Sequence, residues 1–105
     1  SRFAKLAGEM ISLGDVEQRV RTALAAPELP LVAINLPDEK KGEKVILLLE
    51  GEHDPQIIKQ QLIDAGMPAL LLPANIFSVD DVPMLGSGKT DFATSRKLAN
   101  ELANA

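Results

Sequence analysis

The chain has 105 residues, of which 46% are hydrophobic, and its formal net charge is −4. This length fits one domain with a modest core. Nucleic acid is disfavoured as a partner, because the chain is acidic and has three Phe but no Trp or Tyr for stacking. With no cysteine and one histidine, the sequence excludes a disulfide framework, a thiolate zinc site and a multi-histidine metal site.

A small hairpin followed by a helix is predicted at the start of the chain. The hairpin turns at Gly8 and Glu9. The helix runs from about residue 16 to residue 26, since Asp15 can cap it and Pro27 ends it. Residues predicted to face the core at helical spacing are Val16, Val20, Ala23 and Leu24, and those predicted to face outward are Glu17, Arg19 and Arg21.

The middle of the chain predicts two antiparallel strands and a second helix. The strands are residues 31–36 and 44–50, and the charged stretch 37–43 is their turn. The helix spans residues 54–65, with Asp54 as its cap, and the residues predicted to be buried on it are Ile57, Ile58 and Leu62. An apolar segment between two prolines, residues 69–72, could form a short helical turn.

A third strand, a glycine-rich loop and a last helix complete the prediction. The strand is residues 76–79 and the helix is residues 92–103, with Phe92, Leu98 and Leu102 as packing residues. The predicted fold class is α+β, a small three-stranded sheet with packed helices plus an N-terminal β-hairpin.

The glycine-rich loop contains Gly88-Lys89-Thr90, which at first sight suggests a phosphate-binding P-loop. That pattern requires a glycine five places before Gly88, and this chain has Pro83 there, which has no N–H to offer a phosphate. Too little chain follows Lys89 for the later strands of a P-loop domain. Composition alone would make Lys89 a solvated loop lysine.

Three segments, taken together, resemble one family. They resemble the motifs of the C-terminal domain of adenylate-forming (AMP-binding) enzymes: its hinge-proximal motif, its Gly-Glu hairpin and its terminal lysine motif. The segments are Lys5-x-x-Gly8-Glu9-Met10-Ile11-Ser12, Asp38-x-x-x-Gly42-Glu43 and Pro83-x-x-x-Ser87-Gly88-Lys89. Their order and spacing match across essentially the whole chain.

The resemblance implies a two-step reaction, in which a fatty acid and ATP form an acyl-adenylate and a carrier thiol then takes the acyl group. It implies that the C-terminal domain rotates between the steps. Lys89 would be the catalytic lysine of the first step, carried on a loop formed by Gly86, Ser87 and Gly88. The hairpin would line the tunnel for a phosphopantetheine arm in the second step, through Gly8, Lys5 and Met10. Gly8 could equally be only a turn glycine.

Residues 8–12 and 85–92 also resemble, more narrowly, the bifunctional 2-acylglycerophosphoethanolamine acyltransferases/acyl-[acyl-carrier-protein] synthetases of the bacterial inner membrane. This implies ATP and magnesium as cofactors of a full-length enzyme, and phosphopantetheine on acyl carrier protein or CoA. The partners implied are an N-terminal adenylation domain, acyl carrier protein and a fatty acid, with membrane attachment only through upstream regions. We expect residues 1–105 to be a fragment, a cytoplasmic domain that is inactive alone.

Two positions depart from the family pattern, and two other interpretations stay open. Ser1 or Arg2 stands where the family has an acidic or lysine hinge residue, and Phe92 stands where it often has arginine. The alternatives are the C-terminal domain of another acyl-CoA ligase and a free-standing binding module without catalysis.

Overall fold

A computed structural model describes residues 2–105, so the possible hinge residue Ser1 lies outside the described residues. The elements follow in the predicted order. They are strands β1 (Phe3–Leu6) and β2 (Glu9–Ser12), helix α1 (Leu13–Ala23), strands β3 (Leu31–Asp38) and β4 (Gly42–Glu50), helix α2 (Pro55–Asp64), a 3₁₀ turn (Ala69–Leu71), strand β5 (Asn75–Val79) and helix α3 (Phe92–Ala103).

The main sheet has three strands in the order β3-β4-β5, with β3 antiparallel and β5 parallel to the central strand β4. Helices cover both faces of this sheet, which explains why β4 carries an unbroken buried apolar run from residue 45 to residue 49. The hairpin of β1 and β2 forms a separate two-stranded sheet. The predicted α+β fold class is therefore confirmed.

Two hydrophobic clusters lie on opposite faces of the sheet. The larger cluster packs α1, α2 and the inner face of the hairpin against one face. The smaller cluster packs α3 against the other. Alternate residues of β3 supply the two clusters, as Ala33 and Ile34 illustrate. The hairpin and the segment leading into α3 are thereby attached to opposite faces of one sheet.

Helix α1 begins earlier and ends earlier than predicted. Its cap is Ser12, whose Oγ accepts a hydrogen bond from the Asp15 N–H at 3.2 Å, so the prediction of Asp15 as the cap was wrong. The helix ends at Ala23, before Pro27. Ala25 has a φ of +53°, and this left-handed residue turns the chain away from the helix before proline could end it.

Two large side chains predicted to be buried are exposed, and one predicted to be exposed is buried. Ile57 is 59% exposed and Phe92 is 39% exposed, whereas Ile58 and Leu62 are buried as predicted. Glu17 is 8% exposed, and its Oε2 accepts a hydrogen bond from the Ala33 N–H at 2.8 Å. Because β3 is an edge strand, that N–H has no strand partner, and Glu17 supplies the acceptor.

The turn between β3 and β4 is shorter than predicted, because both strands extend into the charged stretch. Residue pairing continues to Asp38 and Gly42, and Gly42 has a φ of +81° that favours glycine. Pro37 is tolerated within β3 because the strand lies at the edge of the sheet. The predicted bounds of α3 are confirmed, and the short helical turn predicted in residues 69–72 is present as the 3₁₀ turn.

Candidate functional site

The glycine-rich loop is closed by backbone hydrogen bonds. Met84 and Thr90 form an antiparallel bridge, and the Leu85 N–H donates to the Lys89 carbonyl at 2.7 Å. The Gly88 N–H donates to the Leu85 carbonyl at 2.9 Å, and Gly88 has a φ of +88°. Gly88 therefore permits a conformation that other residues resist. Gly86 has no such φ, so only one of these two loop glycines adopts a left-handed conformation.

Both ends of the loop are anchored to the domain. Before the loop, Val82 is buried in the smaller cluster, and its N–H donates to Glu50 Oε1 at 2.9 Å. After the loop, Asp91 caps α3 by accepting from the Thr94 N–H at 3.0 Å. The Asp91 N–H also donates to the Pro83 carbonyl at 2.9 Å, joining the two ends. The loop therefore projects as a defined hairpin from the start of α3.

The Lys89 side chain is exposed and forms no ion pair within residues 2–105. Its amino group is therefore available to an anion. Two exposed apolar side chains precede it in the loop, with Met84 55% and Leu85 49% exposed. An accessible cation among exposed apolar residues fits a loop that inserts into a partner surface.

The backbone geometry argues against the P-loop interpretation. A P-loop cradles phosphate with several free backbone N–H groups. Here the N–H groups of Leu85, Gly88 and Asp91 all donate within the loop, and Pro83 has none. These N–H groups are therefore not available to a phosphate, whereas the Lys89 side chain is exposed.

The N-terminal hairpin brings the other predicted site residues together. Ala7 and Gly8 have φ values of +50° and +83°, which are typical of a two-residue type I′ turn, so the turn lies one residue earlier than predicted. Lys5 pairs with Met10 across the strands, and both side chains are exposed. Because Ala4 and Leu6 point to the core, Lys5 and Met10 share the outer face.

A hydrogen-bonded chain of side chains connects the hairpin to α3. Glu43 Oε1 accepts from the Lys5 N–H at 3.2 Å and from Asn35 Nδ2 at 2.9 Å. Arg96, on α3, donates to the carbonyl and side-chain oxygens of Asn35. The Gly-Glu hairpin motif therefore has a structural role here, because Glu43 holds β1 against the sheet.

The pKa of Glu43 lies below its ordinary value of 4.5, first because of the Asn35 hydrogen bond and next because of the Lys5 N–H. A lowered pKa in the folded state stabilises the fold above the ordinary value, and this stabilisation is lost as pH falls through the folded-state pKa. We expect Glu43→Gln to lower the free energy of unfolding near neutral pH by about 1 kcal/mol or less. The difference should shrink in acid, measured by urea unfolding across pH.

Glu39→Gln is the matched control, since Glu39 is exposed in the turn between β3 and β4 and carries the same charge. Glu39→Gln should leave the free energy of unfolding unchanged both near neutral pH and in acid. A Glu43→Gln effect that persists undiminished in acid would show that the lost charge is not the cause.

The structure places the predicted site residues in two groups on one body. Lys5, Gly8 and Met10 lie on the hairpin, and residues 86–89 lie on the loop before α3. Sequence reasoning missed the side chains that tie these groups to β3, namely Arg2, Glu17, Asn35, Glu43 and Arg96. One signal was present: Glu17 lies between Leu13, Val16 and Val20 at the spacing of the buried face of a helix.

A groove with a volume of about 480 Å³ lies beside the hairpin turn. Its lining combines the apolar residues Leu6, Leu70 and Leu72 with basic and acidic residues in and beside the β3–β4 turn, which we call the rim. The three lysines of the rim are Lys40, Lys41 and Lys44, and its carboxylates are Asp38 and Glu43. Among residues 2–105, no helix is both long and apolar enough to cross a membrane.

Comparison with known proteins supplies the class of the fold. No protein-family profile matches the chain. The chain is 26% identical over 110 residues to AM-toxin synthetase AMT1 of Alternaria alternata, a match that covers 96% of this chain and 2% of that protein. The chain thus spans a small part of this relative.

Solved structures resemble the chain more closely in fold than in sequence. The fatty acyl CoA synthetase of Mycobacterium tuberculosis matches with a TM-score of 0.80 at 19% identity, covering 95% of this chain and 20% of that chain. An AMP-forming acyl-CoA synthetase-like protein of Dyadobacter fermentans matches with a TM-score of 0.76 at 16% identity, covering 92% of this chain and 29% of that chain. The fold is that of the C-terminal domain of adenylate-forming enzymes.

Proposed function

We propose that this chain is the mobile C-terminal domain of an adenylate-forming ligase. The observation that carries the proposal is the presentation of Lys89 at the end of an anchored loop, with its amino group unpaired within residues 2–105. An upstream adenylation domain would supply the magnesium ligands and most of the ATP and acyl pockets. This chain would supply one cation and one hairpin to a site between the domains.

In the first half-reaction, a carboxylate oxygen of the acid attacks the α-phosphorus of ATP, and pyrophosphate leaves as the acyl-adenylate forms. The carboxylate and the triphosphate repel each other, and negative charge builds on the α-phosphate oxygens in the transition state. An ammonium group on a flexible stem reduces this repulsion and stabilises the negative charge of the transition state. The hydrogen bonds that close the loop would hold the Lys89 backbone in place while its side chain reaches inward.

In the second half-reaction, the thiol of a phosphopantetheine arm attacks the acyl carbonyl carbon, and AMP leaves as the thioester forms. We infer that the domain turns so that the hairpin faces the reacting groups. The type I′ turn gives Gly8 a left-handed conformation and leaves open space beside its Cα. Lys5 and Met10 would flank the arm, because they share the outer face of the hairpin.

We propose further that the substrate is a fatty acid and that the acceptor is acyl carrier protein. The resemblance of residues 8–12 and 85–92 to the bifunctional acyltransferase/acyl-[acyl-carrier-protein] synthetases supports this choice. The lysines on the rim of the groove beside the hairpin also favour an anionic acceptor. Lysophospholipid acylation and attachment to the bacterial inner membrane would then belong to upstream regions.

The substrate proposal is tested by exchange of labelled pyrophosphate into ATP, catalysed by the complete protein that contains this chain. Fatty acids should support exchange, and amino acids, the substrates of other members of the wider family, should not. With ATP and fatty acid present, acyl carrier protein should accept the acyl group faster than CoA. Exchange with amino acids alone would contradict the fatty-acid proposal, and faster acylation of CoA would identify another acyl-CoA ligase.

A further inference from the structure

Arg2 makes three side-chain contacts that together join distant parts of the chain. Its Nη2 donates to Glu17 Oε1 at 2.6 Å, and its Nη1 donates to the Ala33 carbonyl at 3.0 Å. The centre of its guanidinium lies 4.0 Å from the centroid of the Phe92 ring. The side chain of Arg2 is 27% exposed and that of Glu17 is 11% exposed, so solvent weakens these contacts less than it would at the surface.

Phe92 is the first residue of α3 and follows directly after the cap residue Asp91. The lysine loop and α3 meet at this point, so a contact on Phe92 acts on the base of the loop. Phe92 also occupies the position where the family pattern often has arginine. A second guanidinium there would repel Arg2, whereas an aromatic ring attracts it. The identities of residues 2 and 92 are therefore compatible with each other.

The backbone of Arg2 connects the same point to the N-terminal hairpin. The Arg2 carbonyl accepts a hydrogen bond from the Leu13 N–H at 2.9 Å, where β2 passes into α1. Arg2 thus lies at the base of the hairpin through its backbone and at the base of the lysine loop through its side chain. No other residue within residues 2–105 stacks a cation on Phe92.

We propose that Arg2 is a positioning residue for the first half-reaction, acting through Phe92 to fix the direction in which the lysine loop projects. The inference rests on the proposed function. Arg2 touches no reacting group, so its effect passes through the orientation of Lys89. Since its backbone contact survives substitution of the side chain, the hairpin and the second half-reaction should keep their geometry.

The test uses the complete protein, four single variants and the double variant Arg2→Met/Phe92→Leu. Arg2→Met removes the charge and keeps much of the length, while Phe92→Leu removes the ring. Phe92→Tyr keeps the ring, and Arg19→Met is the matched control because Arg19 pairs with Asp15 on the exposed side of α1, at 3.0 Å. Two readouts are taken, namely the rates of both half-reactions and hydrogen exchange of the peptide 83–91 without ligands.

We expect Arg2→Met and Phe92→Leu each to lower kcat for adenylate formation about tenfold, the size of effect that a small misplacement of a catalytic group produces. The KM for ATP and the rate of thioester formation from preformed acyl-adenylate should not change. Phe92→Tyr should retain the rate. The double variant should be no slower than the slower single variant, because both changes remove the same Arg2–Phe92 contact. Exchange in peptide 83–91 should accelerate only in the two slow variants.

Three outcomes would separate the possible errors. Suppose that Lys89→Ala abolishes adenylate formation, but Arg2→Met changes neither adenylate formation nor hydrogen exchange. This result would overturn the positioning role and leave the proposed function standing. Equal losses in both half-reactions would also overturn it, because they would indicate general destabilisation. If hydrogen exchange in the loop is faster in Arg2→Met but the wild-type protein forms no adenylate, the contact would be supported and the proposed function contradicted.

Discussion

Lys89→Ala is expected to lower the rate of acyl-adenylate formation in the complete protein by ~10²–10³-fold, the range for removing one electrostatic stabiliser of a transition state. The ammonium group is the cation that the anchored loop presents, and alanine leaves the transferring phosphate without it. Pyrophosphate exchange into ATP measures this step. Thioester formation from preformed acyl-adenylate should continue at the wild-type rate.

Lys97→Ala is the control for the loss of one positive charge, because Lys97 is exposed on α3 beyond the loop. It should retain adenylate formation. Lys89→Arg should retain at most part of the wild-type rate, since a guanidinium group is larger than an ammonium group and more weakly hydrated. If Lys89→Ala formed adenylate at the wild-type rate, Lys89 would be an ordinary surface lysine without a catalytic role.

Gly8→Leu is expected to slow the second half-reaction by ~10²-fold, comparable with the cost of misplacing a reacting group. Space beside Gly8 is open within this domain, since an added Cβ has no neighbour within 4 Å in residues 2–105. The side chain would instead narrow the channel between the two domains. Single-turnover transfer from preformed acyl-adenylate to the carrier thiol measures the effect, and adenylate formation should be retained.

Gly66→Leu controls for backbone strain. Gly66 has a φ of +84° and Gly8 has a φ of +83°, and neither has an atom within 4 Å of an added Cβ. Both variants should therefore lose about 1–2 kcal/mol of folding stability. Gly66 follows α2 and belongs to neither candidate loop, so its variant should transfer acyl groups normally. Equal slowing in the two variants would assign the Gly8 effect to strain.

Local patterns predicted most of the fold. The continuous apolar run at residues 45–49 and the β-branched residues around Val32 identified the paired strands. Asp54 and Pro55 identified the start of α2, because capping and proline preference act within a few residues. The start of α1 was wrong, since both Ser12 and Asp15 are good caps and only the structure shows which one accepts the hydrogen bond.

Long-range contacts were not predictable from local patterns. Glu17 is buried because the unpaired edge of β3 needs an acceptor for the Ala33 N–H, and no local rule places α1 beside that edge. Phe92 lies at the surface against Arg2 and not in the core, and this contact joins residues from opposite ends of the chain. The two motif groups were predicted from the sequence, but the side chains that join them were not.

The most direct test of the account compares both half-reactions in the wild-type protein, Lys89→Ala and Gly8→Leu, with all rates measured on the same preparations. One rigid domain is proposed to present different surfaces in turn, so each variant should lose only one of the two half-reactions. Lys89→Ala should lose adenylate formation and keep thioester formation, and Gly8→Leu should do the reverse. Parallel losses in both half-reactions for either variant would contradict the assignment of the two loops to separate steps.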